Sequence, residues 1–75
     1  MANEYTFTDT WNSYPGTPPT ERGIYLVTVE EIYPDWSRQS HVRISEYDVV
    51  QNRFAAEGNY KRVIAWMDMP EVYAP

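Results

Sequence analysis

The sequence predicts a mainly β fold: a single small antiparallel meander sheet of about four strands, preceded by an irregular Pro- and aromatic-containing N-terminal arm. Three observations carry the prediction. Runs rich in β-branched and aromatic residues, such as Ile24-Tyr25-Leu26-Val27-Thr28-Val29 and Val63-Ile64-Ala65-Trp66-Met67, are bounded by clusters of Gly, Pro, Asn and Asp. No stretch repeats its apolar residues at helical spacing over a useful length. The six Pro sit where they end strands or break ladders rather than inside the apolar runs.

With 75 residues the chain is read as one domain covering 1–75. A domain of this size buries only about 60% of the surface its unfolded chain exposes. It contains no Cys, so no disulfide compensates. Three Trp, seven Tyr and two Phe supply the compensation instead, since each ring buries about 150–250 Å² when enclosed. Aromatic residues left outside the core would mark a partner surface.

Eleven acidic side chains against six basic ones give a net charge of -5. That balance argues against direct nucleic-acid binding, which relies on Lys and Arg at phosphates. The acids are scattered, with only Glu30-Glu31 adjacent. The N-terminus, Met1-Ala2-Asn3-Glu4-Tyr5, has neither the basic nor the apolar region of a secretory leader, and no apolar run approaches the ~20 residues of a membrane span. The expectation is a soluble cytoplasmic protein with no membrane partner.

Taken in order, residues 1–10 alternate weakly through Tyr5 and Phe7, as an edge strand or extended tail does. Trp11 to Thr20 holds three Pro and one Gly, which exclude helix, so this arm is expected to lie over the sheet, pinned by Trp11 and Tyr14. Glu21-Arg22-Gly23 reads as a turn. Residues 24–31 form the clearest strand, and its apolar residues on both parities place it centrally. The segment 32–40 is a connection broken by Pro34; Tyr33 and Trp36 stand in it among polar residues, either as a recognition loop or, for Trp36, folded back as a cap on the sheet.

His41 to Tyr47 alternates, with Val42 and Ile44 on one parity and His41, Arg43 and Ser45 on the other, the pattern of a half-buried strand. Asp48 and Asn52 frame a hairpin loop in which Asn52 takes a left-handed conformation. Residues 53–57 return as a strand. Gly58-Asn59-Tyr60 turns the chain into the last strand, 63–67, where Ile64 and Trp66 share one parity and Val63, Ala65 and Met67 the other. Trp66 is expected to be the buried anchor of the core, and small Ala65 to admit a close neighbour. Pro70 ends the ladder, and Glu71-Val72-Tyr73-Ala74-Pro75 is an extended tail.

Trp11 before a Pro-containing stretch, Gly23-Ile24-Tyr25-Leu26-Val27, the Tyr47-Asp48 turn leading to Arg53-Phe54, and the closing Val63-Ile64-Ala65-Trp66-Met67-Asp68-Met69-Pro70-Glu71 together resemble a small domain of unknown function found in phages and bacteria that ends in a Trp-Met-Pro-Leu-Pro signature. The resemblance spans roughly residues 11–71. It implies a small β domain in a phage or mobile-element context and no assigned activity. Members usually carry Thr-His before the Trp and Pro after the Met. Ile64-Ala65 and Asp68 stand there in this chain, which removes the His that would be the best candidate for chemistry.

The residues themselves offer little catalysis. His41 is the only His, and Asp35, Glu46 and Asp48 near it lack metal-ligand spacing. Ser40 adjoins His41, but neighbouring strand residues point apart. No Gly-rich phosphate loop is present. No cofactor, metal or enzymatic role is therefore expected. The expected function is a non-enzymatic protein–protein interaction module, phage or mobile-element encoded, that binds another protein, a host protein included, through an aromatic loop or an exposed sheet edge. Its interaction candidates are Tyr33, Trp36, Arg38, Arg43 and Arg53, residue types favoured at interfaces, with Arg43 and Arg53 flanking one exposed face. Self-association is left open. Two alternatives stand beside it. One is an anti-defence inhibitor whose Glu30, Glu31, Glu46, Asp48 and Glu57 gather into an acidic face; the other is a small ligand-binding or enzymatic domain built on His41 and carboxylates.

Overall fold

The described residues form five strands, of which β2 and β5 are the β-branched and aromatic runs: β1 (Asn12–Ser13), β2 (Gly23–Ile32), β3 (Arg38–Asp48), β4 (Arg53–Phe54) and β5 (Lys61–Asp68). The computed structural model describes residues 11–70, so the expectations for 1–10 and 71–75 lie outside the described residues. Among the described residues no helix is long and apolar enough to cross a membrane. All strands join one antiparallel sheet in the order β1-β5-β2-β3-β4. The class agrees with the sequence, but the path is not a simple meander. After β4 the chain crosses to the far side of β2, which leaves β2 in the middle with a neighbour on each edge.

Register assigns the faces. Tyr25, Val27 and Val29 of β2 stand beside Ser45, Arg43 and His41 of β3, and Val27 and Val29 also stand beside Trp66 and Val63 of β5. This face is the core. Val27, Val29, Tyr47, Phe54 and Val63 are its buried apolar residues, with Tyr14, Tyr25, Ala56 and Trp66 packed against them. Phe54 is the largest fully buried side chain. Around it, ring centroids lie 4.7 Å away at Tyr47, 5.1 Å at Tyr14 and 6.3 Å at Tyr25, the last two edge-on. Tyr25 meets Trp66 edge-on at 5.0 Å. Edge-to-face contact suits the ring quadrupole and adds to simple burial.

Trp66 is thus a half-buried margin of the core rather than its anchor. Its indole Nε1–H donates to the Thr17 carbonyl at 2.6 Å and ties the arm down. Tyr14 does the same from the other side: its ring lies on Phe54, and its hydroxyl donates to the Asn52 carbonyl at 3.2 Å. The Tyr14–Pro15 peptide bond is cis. Burial, then the Glu57 charge, raises the Tyr14 pKa; burial, then Glu21, raises that of Tyr25. Ser45 is the buried polar residue of this face. Its hydroxyl accepts from Ala56 N–H at 2.9 Å and donates to the Glu46 carbonyl at 3.2 Å, so it is satisfied.

Three expectations are corrected. First, the parity of the last strand breaks. Thr28 pairs with Ala65 but Val29 with Val63, so Ile64 is an inserted residue, and Val63 and Trp66 share the core face. A bulge shifts phase by one residue, which exchanges the faces on either side of it. Second, the half-buried strand β3 turns the other way: Ser45 and Tyr47 are inside, while Val42 and Ile44 are 58% and 60% exposed. Third, the 53–57 strand is only Arg53–Phe54. Glu57 N–H bonds the Phe54 carbonyl, and the Glu57 carboxylate accepts from Phe54 N–H, closing a turn where a longer strand would have run. The central strand also departs in detail, because Ile24 is exposed.

The hairpin loop between β3 and β4 matches its reading. Asp48 Oδ1 accepts from Val50 N–H at 2.9 Å and Gln51 N–H at 3.2 Å, and Asn52 has φ 56°.

Phe54→Ala is expected to lower unfolding free energy by about 3–5 kcal/mol, the cost of emptying a large aromatic site. That is comparable with the whole stability of a small domain. Val50→Ala, on the exposed hairpin, is expected to change it by less than about 0.5 kcal/mol. Urea melts followed by circular dichroism measure both, and equal effects would remove Phe54 from its central place.

Candidate functional site

Tyr33-Pro34-Asp35-Trp36-Ser37 joins β2 to β3. Trp36 N–H donates to the Tyr33 carbonyl at 2.8 Å and Tyr33 N–H to the Ser37 carbonyl at 2.9 Å. This is a three-residue hairpin loop, a tight turn followed by one left-handed residue, and Pro34 presets the first corner. The left-handed residue is Trp36, with φ 69°. Gly or Asn ordinarily takes that position, because a β-carbon there costs about 1–2 kcal/mol. The loop is held instead by Asp35, whose Oδ1 accepts from Ser37 Oγ at 2.6 Å and Ser37 N–H at 3.0 Å. Those bonds lower the Asp35 pKa from its ordinary 3.8.

A second turn lies alongside. Gly58 and Lys61 exchange backbone bonds of 3.1 and 3.2 Å, closing Gly58-Asn59-Tyr60-Lys61. Its left-handed residue is Tyr60, with φ 65°, although Gly58 and Asn59 are within reach of the turn. Ile32 N–H donates to the Tyr60 carbonyl at 2.9 Å and joins the two turns. Between them Ile32, Tyr33, Pro34, Trp36 and Tyr60 line a groove of about 280 Å³. Trp36 is 82% exposed and Tyr60 73%, so Trp36 does not fold back to cap the sheet.

The five candidate residues separate into three places. Tyr33 and Trp36 line the groove. Arg38 pairs across the sheet with Ile32 at the groove's mouth, and Glu30 Oε1 holds it at 3.8 Å and Arg62 at 2.9 Å. Arg43 lies further along β3, on the face of Val27 and Trp66. Arg53 pairs with Asp48 at the opposite end of the sheet and reaches back to the Glu57 carbonyl at 3.1 Å. Arg43 and Arg53 therefore do not flank one face. The reason is parity: Arg43 shares its side of β3 with Tyr47, whereas Arg53 registers with Asp48, and neighbouring strand residues point apart. Arg53 and Asp48 line a second cleft of about 400 Å³ with Arg22, Glu46 and Gln51.

The acids are distributed in the same way. Glu30 and Glu46 share a face but stand opposite Ser40 and Ile24, at different ends of β2, and Glu31 is on the other face. His41 registers with Val29, whereas Ser40 registers with Glu30, so those two point to opposite faces. Among the described residues no group of three or more His, Cys, Asp or Glu is placed to hold a metal ion.

Tyr60 and Ile32 were not among the sequence candidates. Ile32 reads as part of a polar connection until it is seen to extend β2. Tyr60 reaches the groove only through the long-range pairing of Glu31 with Lys61, for which no local pattern exists. No family model matches the chain, and neither curated proteins nor solved structures match it.

Asp35 is expected to titrate below 3.8 in the folded protein. Its folded pKa is depressed, so the Asp35–Ser37 contribution is complete above the unfolded pKa and is lost as pH falls through the folded one. An NMR titration of the Asp35 carboxyl carbon measures this. Ser37→Ala should move the midpoint up towards 3.8; an unmoved midpoint would take the loop's restraint away from Ser37.

Proposed function

We propose that this protein is a non-enzymatic protein–protein interaction module, and that the Trp36–Tyr60 groove receives an apolar anchor from another protein. One observation carries the reading. Two large aromatic side chains occupy backbone positions that disfavour them, and both line the same apolar groove while remaining mostly exposed. Strain and exposure of this kind are costs to the isolated fold, and they concentrate where a surface does work. Trp and Tyr, with Arg38 at the rim, are the residue types that carry binding energy. The resemblance of residues 11–71 to a phage and bacterial domain adds a phage or mobile-element context to the proposal. An inhibitor acting through one acidic face is less well supported, because Glu30, Glu31 and Glu46 stand on different faces or at different ends of the sheet.

Peptides selected from a random library on the wild-type protein test the reading. Trp36→Gly is expected to weaken their binding by at least about thirtyfold, as loss of a hot spot does, while raising stability by about 1 kcal/mol because Gly relaxes the left-handed position. Tyr60→Gly should act in the same direction on both. Selected peptides that bind Trp36→Gly and Tyr60→Gly as tightly as wild type would overturn the proposal.

A further inference from the structure

β3 is longer than the strand that covers it. β2 pairs with it from Arg38 to Tyr47, but β4 covers only Tyr47 and Asp48 on the outer side. The last bond on that edge is Ala55 N–H to the Glu46 carbonyl at 2.9 Å. In a strand the N–H and C=O of one residue point the same way and alternate from residue to residue. Glu46 thus fixes the pattern: Ser40, Val42 and Ile44 direct their backbone groups to the outer edge, and Gln39, His41, Arg43 and Ser45 direct theirs to β2. Among the described residues, no strand pairs with the outer edge before Tyr47.

The side chains along this edge are equally unpartnered. Val42 and Ile44 stand on the open face beside Thr28 and Leu26, more than half exposed. On the other face Arg43 and His41 stand beside Val27 and Val29, with no acid across the pair, and Arg43 makes no ion pair among the described residues. Between Asp35 and Glu46 the chain has Arg38, His41 and Arg43 and no acidic residue, although the whole carries a net charge of -5.

We propose that the outer edge of β3 from Arg38 to Ile44 accepts an extended segment of another protein as an added strand, and that this segment alternates apolar with acidic residues. Main-chain groups of Ser40, Val42 and Ile44 supply the ladder. Apolar side chains of the guest extend the Val42 and Ile44 surface. Its acids, on the alternate positions, meet Arg43 and His41. A second copy of this chain is a poor guest, because β3 against β3 brings only basic and neutral side chains together. Arg38 is paired with Glu30, which stands opposite Ser40, so Arg43, with no ion pair among the described residues, sets the charge the guest meets on this edge. Apart from Arg38, which also stands at the mouth of the Trp36 groove, these residues are not those of that groove, and changes at Val42 and Arg43 let the two readings fail separately.

The probe is a capped synthetic peptide, Thr-Glu-Val-Glu-Ile-Glu-Val-Thr, with a control carrying Lys for every Glu. In the free protein the amides of Ser40, Val42 and Ile44 should exchange with solvent quickly and those of His41 and Arg43 slowly. The Glu peptide should protect the first three, and the Lys peptide should not. Val42→Pro removes one outward donor without breaking a bond to β2, which an edge strand tolerates; it should keep the fold and lose the peptide, while Val42→Thr keeps both. Arg43→Glu should weaken the Glu peptide about tenfold or more and favour the Lys peptide. Equal binding of both peptides, or binding that survives Val42→Pro, overturns the proposal. So does protection of the even-numbered amides without peptide: if it grows with protein concentration the guest is a second copy, and if it does not the guest is this chain's own terminal segment.

Discussion

The structure depends on ring packing around Phe54. The described residues form a single sheet with no second layer, and the sequence has no Cys to add a covalent tie. Phe54 lies in a strand of two residues, which backbone pairing alone would not retain, yet it has no solvent exposure because Tyr14, Tyr25 and Tyr47 surround it. Those rings come from the arm, β2 and β3. One residue therefore fixes the arm to the sheet and the last turn of the hairpin to its centre. Tyr14 and Trp66 finish the work with hydrogen bonds to loop carbonyls, at Asn52 and Thr17, which convert a loosely packed cover into a located one.

A core built this way occupies one face only, and that limits what the sequence reveals. Alternation in β3 is plain, and the ordinary inference sends Val42 and Ile44 inward. The buried positions are Ser45 and Tyr47, because Tyr47 contributes a ring to Phe54 and Ser45 satisfies the Ala56 amide. Two apolar side chains lose to one ring and one hydrogen bond whose partners lie seven and eleven residues away in sequence. The final strand fails for a different reason: the bulge at Ile64 inserts one residue, and no composition signal marks it. What was legible was local. Asn52 in its left-handed turn, the break at Pro34, the Gly58 turn and the central place of β2 all follow from residue chemistry within a few positions.

The candidate site divides along the same line. Tyr33 and Trp36 can be singled out because aromatic residues without periodic partners stand in a polar loop. Tyr60 cannot, since its nearness to them is made by β2–β5 pairing. Nor does sequence suggest that a Trp and a Tyr, rather than any of the three Gly, hold the left-handed positions: no Gly has a positive φ here. That inversion is the physical reason to look for function at the turns. A fold selected for stability alone would place Gly at both and bury the aromatic rings elsewhere.

The exposed groove and the open β3 edge have a common origin in the one-sided core. With every ring that can reach Phe54 committed to one face, Val42 and Ile44 are left on the other, and the hairpin tip extends beyond the reach of the arm. Among the described residues no strand pairs with the outer edge of β3 before Tyr47, and an edge of that kind is open to indiscriminate pairing. Arg43, which makes no ion pair among the described residues, works against such pairing between copies, since like charges on facing edges repel. On the proposal that this edge takes a guest strand, one charge pattern would serve twice, disfavouring a second copy of the edge and favouring a segment that carries acids at alternate positions.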